Sequence, residues 1–387
     1  MKKEYDFLIC YGVGKCGSDA YDLYKSKIAY YCDSYKTGKF KGIDIISFND
    51  LLAVYSDYTV MVTLYDLDAA FEVCQLLKRN SIPYVIFDEM QLCNGCLHVY
   101  GTYPQIKYDC DWENNAPVDR FNKTITRLRT LFEKDTFPED SIIDFWIYCW
   151  DYISDAWKIT EILQIDKIFA YYTMHAFKEK VIPFPDIQSD YMFRTTGAKY
   201  ELLKDRAKEV YKDSRVFWIG STAFNVGRQC LLKMGGQYPN ILHIIDLPYD
   251  KWSKDENKKK EFVPIEEQAK YKYLIDVRGY GWTDRLKNLL QCGRVVFIAD
   301  RPYKEWYFDR LIPNEHYVPI KEDLSDLIEK YRYLEDNPQY YKKIADNMRL
   351  LADSIFSPMA VTQYTKEIVM KSQEGINKLH KLLYNNE

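Results

Sequence analysis

The feature that most constrains this chain is the repeated alternation of short apolar runs with amphipathic stretches of helical spacing. Runs at 5–10, 27–32, 43–47, 59–64 and 84–87 read as strands, with helices near 18–25 and 68–78 between them. Strands alternating with helices predict a parallel sheet covered on both faces. A second series follows a helix expected at 118–132, with strands at 141–149, 167–172, 215–219, 241–246, 271–277 and 294–299 and a helix at 198–211. The remainder reads as helical, at 324–334, 338–354 and 358–384. Between the two series, 93–117 is rich in Gly, Pro, Asn and Asp and predicts a linker. The expected fold class is α/β.

Length and composition bound the rest. A chain of 387 residues suggests two or three domains, and 47% hydrophobic residues suffice for large cores. The net charge of −4 lacks the basic excess of a nucleic-acid binder. No run approaches the ~18 apolar residues of a membrane span, and the N-terminal apolar stretch is too short for a signal-peptide core. The ten cysteines are scattered, and the pair Cys93 and Cys96 has no second pair to complete a zinc site. The five histidines (His98, His175, His243, His316 and His380) show no helical pairing, so no metal site is expected. A reducing cytoplasm is the expected compartment.

Two segments carry chemistry. Gly12-Val13-Gly14-Lys15-Cys16-Gly17 follows a strand and opens a helix, the setting in which a glycine loop lets a pyrophosphate approach a helix N-terminus. Asp33, at the end of the second strand, stands where a ribose-binding acid would sit. An NAD-dependent oxidoreductase is one reading of this module; a non-catalytic Rossmann scaffold on 1–95, a candidate homodimer surface, is another. The module is short for an oxidoreductase, roughly 90 residues against the usual ~100 to 150. The second segment, 270–320, reads as a strand, a loop containing Gly279 and Gly281, and a helix with Thr283 as N-cap. Arg285 would lie in the first turn, where helix dipole and free N–H groups favour an anion and a guanidinium grips a diphosphate bidentately. The plainer reading is an Arg paired with Asp276 or Asp284 on a surface turn.

The same block resembles glycosyltransferase family ninety, which includes Rumi-like protein O-glucosyltransferases, capsule-associated xylosyltransferases and bacterial lipopolysaccharide glycosyltransferases. The matching elements are Lys270 to Leu274, Arg278-Gly279, Thr283, Arg285, Cys292-Gly293, Val295 to Phe297, Glu305 and His316 to Ile320, continuing to Leu324 to Leu327. Upstream, Phe217 to Thr222 followed by Arg228 is similar to the family's aromatic-Arg-Gly-Ser segment, with Ile219 where the family usually places Arg. Ile182-Pro183 and Ile147 to Tyr152 extend the likeness, which covers about 105–387 and leaves 1–95 outside.

The resemblance implies a GT-B-like pair of Rossmann-type lobes with an additional N-terminal Rossmann-like module. The division expected is 1–95, an acceptor-side lobe at 105–195 with the helix 358–384 packing back on it, and a donor lobe at 196–357. It implies an inverting, metal-independent glycosyltransferase without a required cofactor, moving a glucose- or xylose-type sugar from a UDP-sugar. The acceptor would be a glycan or lipid-linked glycan in surface polysaccharide or lipopolysaccharide synthesis. Inversion needs a carboxylate to take the acceptor proton. Asp151 is the chosen base, with Asp144, Asp155 and Asp186 as rivals. Ser221, Thr222, Arg228, Arg278, Gly279, Thr283 and Arg285 are the expected donor contacts, with Glu305 on donor hydroxyls. Lysines interspersed along 358–384 allow peripheral attachment at the inner face of an anionic membrane as the alternative to packing.

Overall fold

The computed structural model describes residues 6–110, 118–133, 137–149, 153–174, 176, 178–185, 197–223, 225–247, 261–279, 281, 283 and 285–384. The chain divides into two compact units. One comprises Met1–Phe121, Ile142–Ala170 and Glu179–Ile182; the other comprises Asn122–Ser141, Tyr171–Lys178 and Pro183–Glu387.

The first unit opens with β1 (Leu8–Tyr11), β2 (Ile28–Cys32), β3 (Gly38–Phe40), β4 (Ile43–Ile46), β5 (Thr59–Val62) and β6 (Tyr84–Ile86). They form one sheet in the order β3-β4-β2-β1-β5-β6, parallel except for the antiparallel pairing of β3 with β4. Setting β3 aside, this is the 3-2-1-4-5 order of a doubly wound Rossmann sheet. Side chains alternate across it as strand geometry demands. Ile9, Tyr11, Val60 and Val62 pack with Leu51 and Leu77 on one face, and Leu8, Cys10 and Met61 pack with Val13 and Ala20 on the other.

A second sheet in the same unit contains β7 (Cys96–Thr102), β8 (Gln105–Cys110), β9 (Ile142–Tyr148), β10 (Ile168–Ala170) and, after β11 (Tyr172–Met174) of the other unit, β12 (Val181–Pro183). Its order is β12-β10-β9-β7-β8, with β7 antiparallel to both β8 and β9. The stretch predicted as a linker at 93–117 therefore holds a hairpin. Only β7 carries an apolar signal, through Cys96, Leu97 and Val99; β8 lies at the sheet edge and buries Cys110 alone. An edge strand with one solvated face reads as a loop in sequence.

The second unit is built on β13 (Asp213–Gly220), β14 (Leu242–Asp246), β15 (Tyr271–Asp276), β16 (Val295–Ala299) and β18 (Val318–Ile320), while β17 (Tyr303–Glu305) pairs antiparallel with β11. The main sheet runs β14-β13-β15-β16-β18, parallel throughout, which is the 2-1-3-4-5 doubly wound order. Val216, Trp218, Tyr273, Ile275, Val295 and Phe297 form one face, covered by Leu231 of the helix Val226–Gln237 and Leu327 of the helix Leu327–Asp336. Phe217, Ile219, Leu274, Val296 and Ile298 form the other, covered by Leu286 and Leu289 and by Met348 and Ile355 of the helix Pro338–Phe356.

The α/β class and the Rossmann-type lobes stand, but the three-way division is redrawn. Residues 1–95 share a unit with 142–170, and 122–141 sit in the second unit. The long helix Pro358–Tyr384 belongs to the second unit, where Val361 and Tyr364 join the core and the Tyr364 hydroxyl donates to the Pro183 carbonyl at 3.0 Å. Among the described residues no helix is long and apolar enough to cross a membrane.

Candidate functional site

In a doubly wound sheet ligands bind outside the carboxyl ends of the strands, where the strand order reverses. In the second unit that point lies between β13 and β15. Ser221 and Thr222 follow β13 directly, and Val277, Arg278 and Gly279 follow β15. The helix Val226–Gln237 opens here, capped by Asn225, whose Oδ1 accepts the Arg228 backbone N–H at 3.3 Å. Asn225 Nδ2 also donates to the Gly279 carbonyl at 3.1 Å, which ties the two loops together. Thr222 N donates to Asp246 at the end of β14 at 2.9 Å.

Three guanidinium groups converge on this corner. Arg228 donates to the Val277 carbonyl at 3.2 Å and the Ser221 carbonyl at 3.1 Å. Arg285 donates to the Ile219 carbonyl. Both cations lie over the ring of Trp218, at 5.6 and 5.1 Å from its centroid, in cation–π range. Arg301 is held at the end of β16 by Asp276, at 2.7 Å, with Asp276 wholly buried. Burial first, and then the Arg285 cation beside it, pushes the Arg228 pKa down to about 10; Asp276 acts in the opposite sense. Among the described residues, the guanidinium groups of Arg228, Arg285 and Arg301 thus gather at one corner, with the buried Asp276 paired to Arg301. Such a corner is suited to a dianionic or diphosphate group.

Several predicted residues take different work from that expected. The helix after the glycine loop spans only Leu286–Leu290, and Arg285, not Thr283, occupies its N-cap position without a side-chain cap. The anion-favouring helix end at this site is therefore that of Val226–Gln237. Thr283 instead donates its hydroxyl to both oxygens of Asp276, at 3.0 and 2.9 Å, and so fixes the loop to the end of β15. Asp276 pairs with Arg301 and not with Arg285; the other partner in the plainer reading of Arg285, Asp284, lies outside the described residues. Arg278 turns to Glu322 at 2.9 Å and to the Tyr303 hydroxyl at 3.2 Å. Glu305 is buried, on β17 opposite Tyr172. At Ile219 the side chain enters the core, and the position contributes its backbone carbonyl to Arg285. His316 braces a turn by accepting the Ile312 N–H at 2.9 Å, and burial lowers its pKa. Asp151, Asp186 and Asp284 lie outside the described residues. Asp144 is taken by His98, at 2.8 Å, on the exposed side of β9.

Sequence reasoning missed Asp276 as an organiser, and missed Arg301, Asn225 and Asp246 altogether. All four sit at or just past the carboxyl end of a parallel strand, and that position was the available signal.

The glycine loop of the first unit divides its labour. Gly12 has φ +118°, and a Cβ there would lie 2.7 Å from the Thr63 carbonyl; a Cβ on Gly17 would collide with the Gly12 carbonyl; Gly14, the helix N-cap, faces open space. Asp33 is engaged by local amides: Val13 N at 3.3 Å, Tyr35 N at 2.9 Å and Lys36 N at 3.0 Å. The acid expected to hold a ribose thus closes its own loop.

Comparison with known proteins bears on the second unit. Residues 192–373 match the family model described as Glycosyl transferase family 90. Human Protein O-glucosyltransferase 3 is 28% identical over 203 residues, 51% of this chain and 40% of that protein. Zebrafish Protein O-glucosyltransferase 2 is 41% identical over 93 residues, 22% of this chain and 19% of that one. The chain spans half or less of the curated O-glucosyltransferase 3 relatives it matches. Among solved structures, Anabaena Alr3699/HepE in complex with UDP and glucose aligns over 96% of this chain and 100% of that one, with TM-score 0.35 and 11% identity.

Proposed function

We propose, from the match of residues 192–373 to the glycosyltransferase family 90 model, that the chain transfers a glucose- or xylose-type sugar from a UDP-sugar to a glycan acceptor. The observation that carries this reading is the gathering of the Arg228, Arg285 and Arg301 guanidinium groups at the switch point of the second unit. A nucleoside diphosphate would accept hydrogen bonds from these guanidinium groups, and its nucleoside would lie along the Ser221–Thr222 and Gly279 loops. As the anomeric C–O bond to the diphosphate breaks, the guanidinium groups stabilise the departing charge. The acceptor hydroxyl forms the new bond from the opposite face and gives its proton to a carboxylate, for which Asp151 remains the assignment.

The reading includes inversion, independence from a bound metal, and an acceptor belonging to a cell-surface polysaccharide, lipopolysaccharide or lipid-linked glycan made on the cytoplasmic side. The named relatives are protein O-glucosyltransferases, which supports a glucose-type donor. The test is release of UDP from a panel of UDP-sugars by the full chain with and without EDTA. Turnover with UDP-glucose or UDP-xylose that persists in EDTA is expected. No UDP binding by any member of the panel would sink the assignment.

A further inference from the structure

We propose that the first unit holds a separate binding cavity for one uncharged saccharide residue, at the carboxyl ends of β5, β6 and β9. The cavity, which is open to solvent, has a volume of about 350 Å³, within the roughly 300–1,000 Å³ of small-molecule sites. Tyr65 reaches it from the loop after β5, Gln91 and Asn94 from the segment after β6, Tyr148 from the last position of β9, and Asp155 and Ile159 from the helix Ile153–Leu163. Asp155 and Ile159 are one helical turn apart and so share a face. The site stands outside the carboxyl ends of strands, the position at which α/β sheets take ligands.

Its chemistry selects the class of ligand. Among the described lining residues, the polar groups are two amides, a carboxylate and two phenols, and none is Lys or Arg. Hydroxyl groups find both donors and acceptors among these groups, whereas a phosphate would face the Asp155 carboxylate, with the neighbouring Lys158 already shared between Asp155 and Asp68. Leu67, Leu92 and Ile159 supply the apolar remainder of the lining, suited to the C–H faces of a sugar ring. The polar groups are pre-set. The Tyr65 hydroxyl donates to Asp19 at 3.1 Å; the Tyr148 hydroxyl is 3.5 Å from Asp155; Lys158 stands 3.8 Å from the other Asp155 oxygen. Gly12, Gly14 and Gly17 do not line the cavity, so it is distinct from the dinucleotide reading of that loop. In the transferase proposed above the saccharide would be one residue of the acceptor chain, a link that rests on that reading; the cavity and its ligand class do not.

The experiment uses the full chain and saturation-transfer NMR with methyl α- and β-glucopyranoside and methyl β-xylopyranoside, with inorganic pyrophosphate as competitor and UDP binding measured in parallel. At least one glycoside is expected to bind saturably and to be unaffected by pyrophosphate. Asn94→Trp, at an exposed position on the rim, should abolish that signal, and Gln91→Leu should weaken it about tenfold, the scale of a lost hydrogen bond. Both variants should keep wild-type UDP binding, which shows them folded. Glycoside binding that survives Asn94→Trp, displacement by pyrophosphate, or no glycoside binding beside intact UDP binding overturns the cavity and leaves the transferase reading untouched. Glycoside binding without any UDP binding leaves the cavity standing and removes the transferase.

Discussion

Replacing Asp276 by Asn tests the architecture of the candidate donor site at its most buried point. The carboxylate has no exposed surface and accepts from the Thr283 hydroxyl at 2.9 Å and from Arg301 at 2.7 Å. Arg301 also donates to the Asp276 carbonyl at 3.1 Å and the Ala299 carbonyl at 3.1 Å, and only 4% of its side chain is exposed. Asparagine preserves the shape and an acceptor for Thr283 but leaves a buried guanidinium without its counter-charge. Breaking one side of a buried pair costs about 3–5 kcal/mol. In a unit of this size that corresponds to a Tm loss of roughly 6–20 °C. Arg301→Met should cost a similar amount for the converse reason. The double variant Asp276→Asn with Arg301→Met removes both charges and should lie well above the sum of the singles, with an interaction energy of at least about 2 kcal/mol. Urea unfolding of the full chain measures all four proteins. Singles within about 1 kcal/mol of wild type, or strict additivity in the cycle, would refute the claim that this pair organises the Gly279–Arg285 loop.

Three further outcomes follow from other parts of the molecule. Arg285→Ala should leave the fold intact but weaken UDP binding by roughly 10- to 150-fold, the worth of a charge-assisted hydrogen bond, as read by calorimetry. His243, pushed below its usual pKa mainly by burial and then by Arg215, stays neutral in the fold where the unfolded chain binds a proton. Its contribution to stability is therefore complete above about pH 6.5 and is lost as pH falls below that, so His243→Gln should flatten the slope of stability against pH over that range. In the glycine loop, Gly17→Ala should cost about 1–3 kcal/mol by overpacking, whereas Gly14→Ser, at an open extended N-cap, should be neutral or stabilising. An NAD titration should be flat, and saturable binding lost in Gly14→Val would restore the dinucleotide reading.

The fold was legible where burial on both sheet faces leaves an unbroken apolar run. β13, β15 and β16 are of this kind: Trp218, Leu274 and Phe297 are all buried, and successive residues enter the two cores in turn. Legibility failed where a strand has a wet face. Gln105–Cys110 alternates exposed and half-buried residues and so reads in sequence, with its neighbours, as a linker. The unit boundaries were illegible for a different reason. The helix Val118–Phe132 passes from one compact unit to the other between Phe121 and Asn122, and no composition shift marks that point.

For the site, a contiguous block revealed Arg285, but the partners that give it a purpose come from separate strand ends. Asp276 and Arg301 are 25 residues apart and meet only because β15 and β16 are neighbours in the sheet. Arg228 and Arg285 meet only over Trp218, whose strand lies beside both loops. The spacing also misassigned the helix dipole, since the five residues Leu286–Leu290 are too short a helix to supply one, while Asn225 caps the longer helix at the same corner. What the geometry adds is a violation of local balance. Burial and a neighbouring cation both oppose the charge on Arg228, so its cost is borne by the fold and offset only in part by Asp276. Departures of that kind are expected at functional sites. An apolar residue at 228 would avoid that cost but leave the Val277 and Ser221 carbonyls without their donor, whereas the cation serves both carbonyls and gains further when an anion occupies the corner.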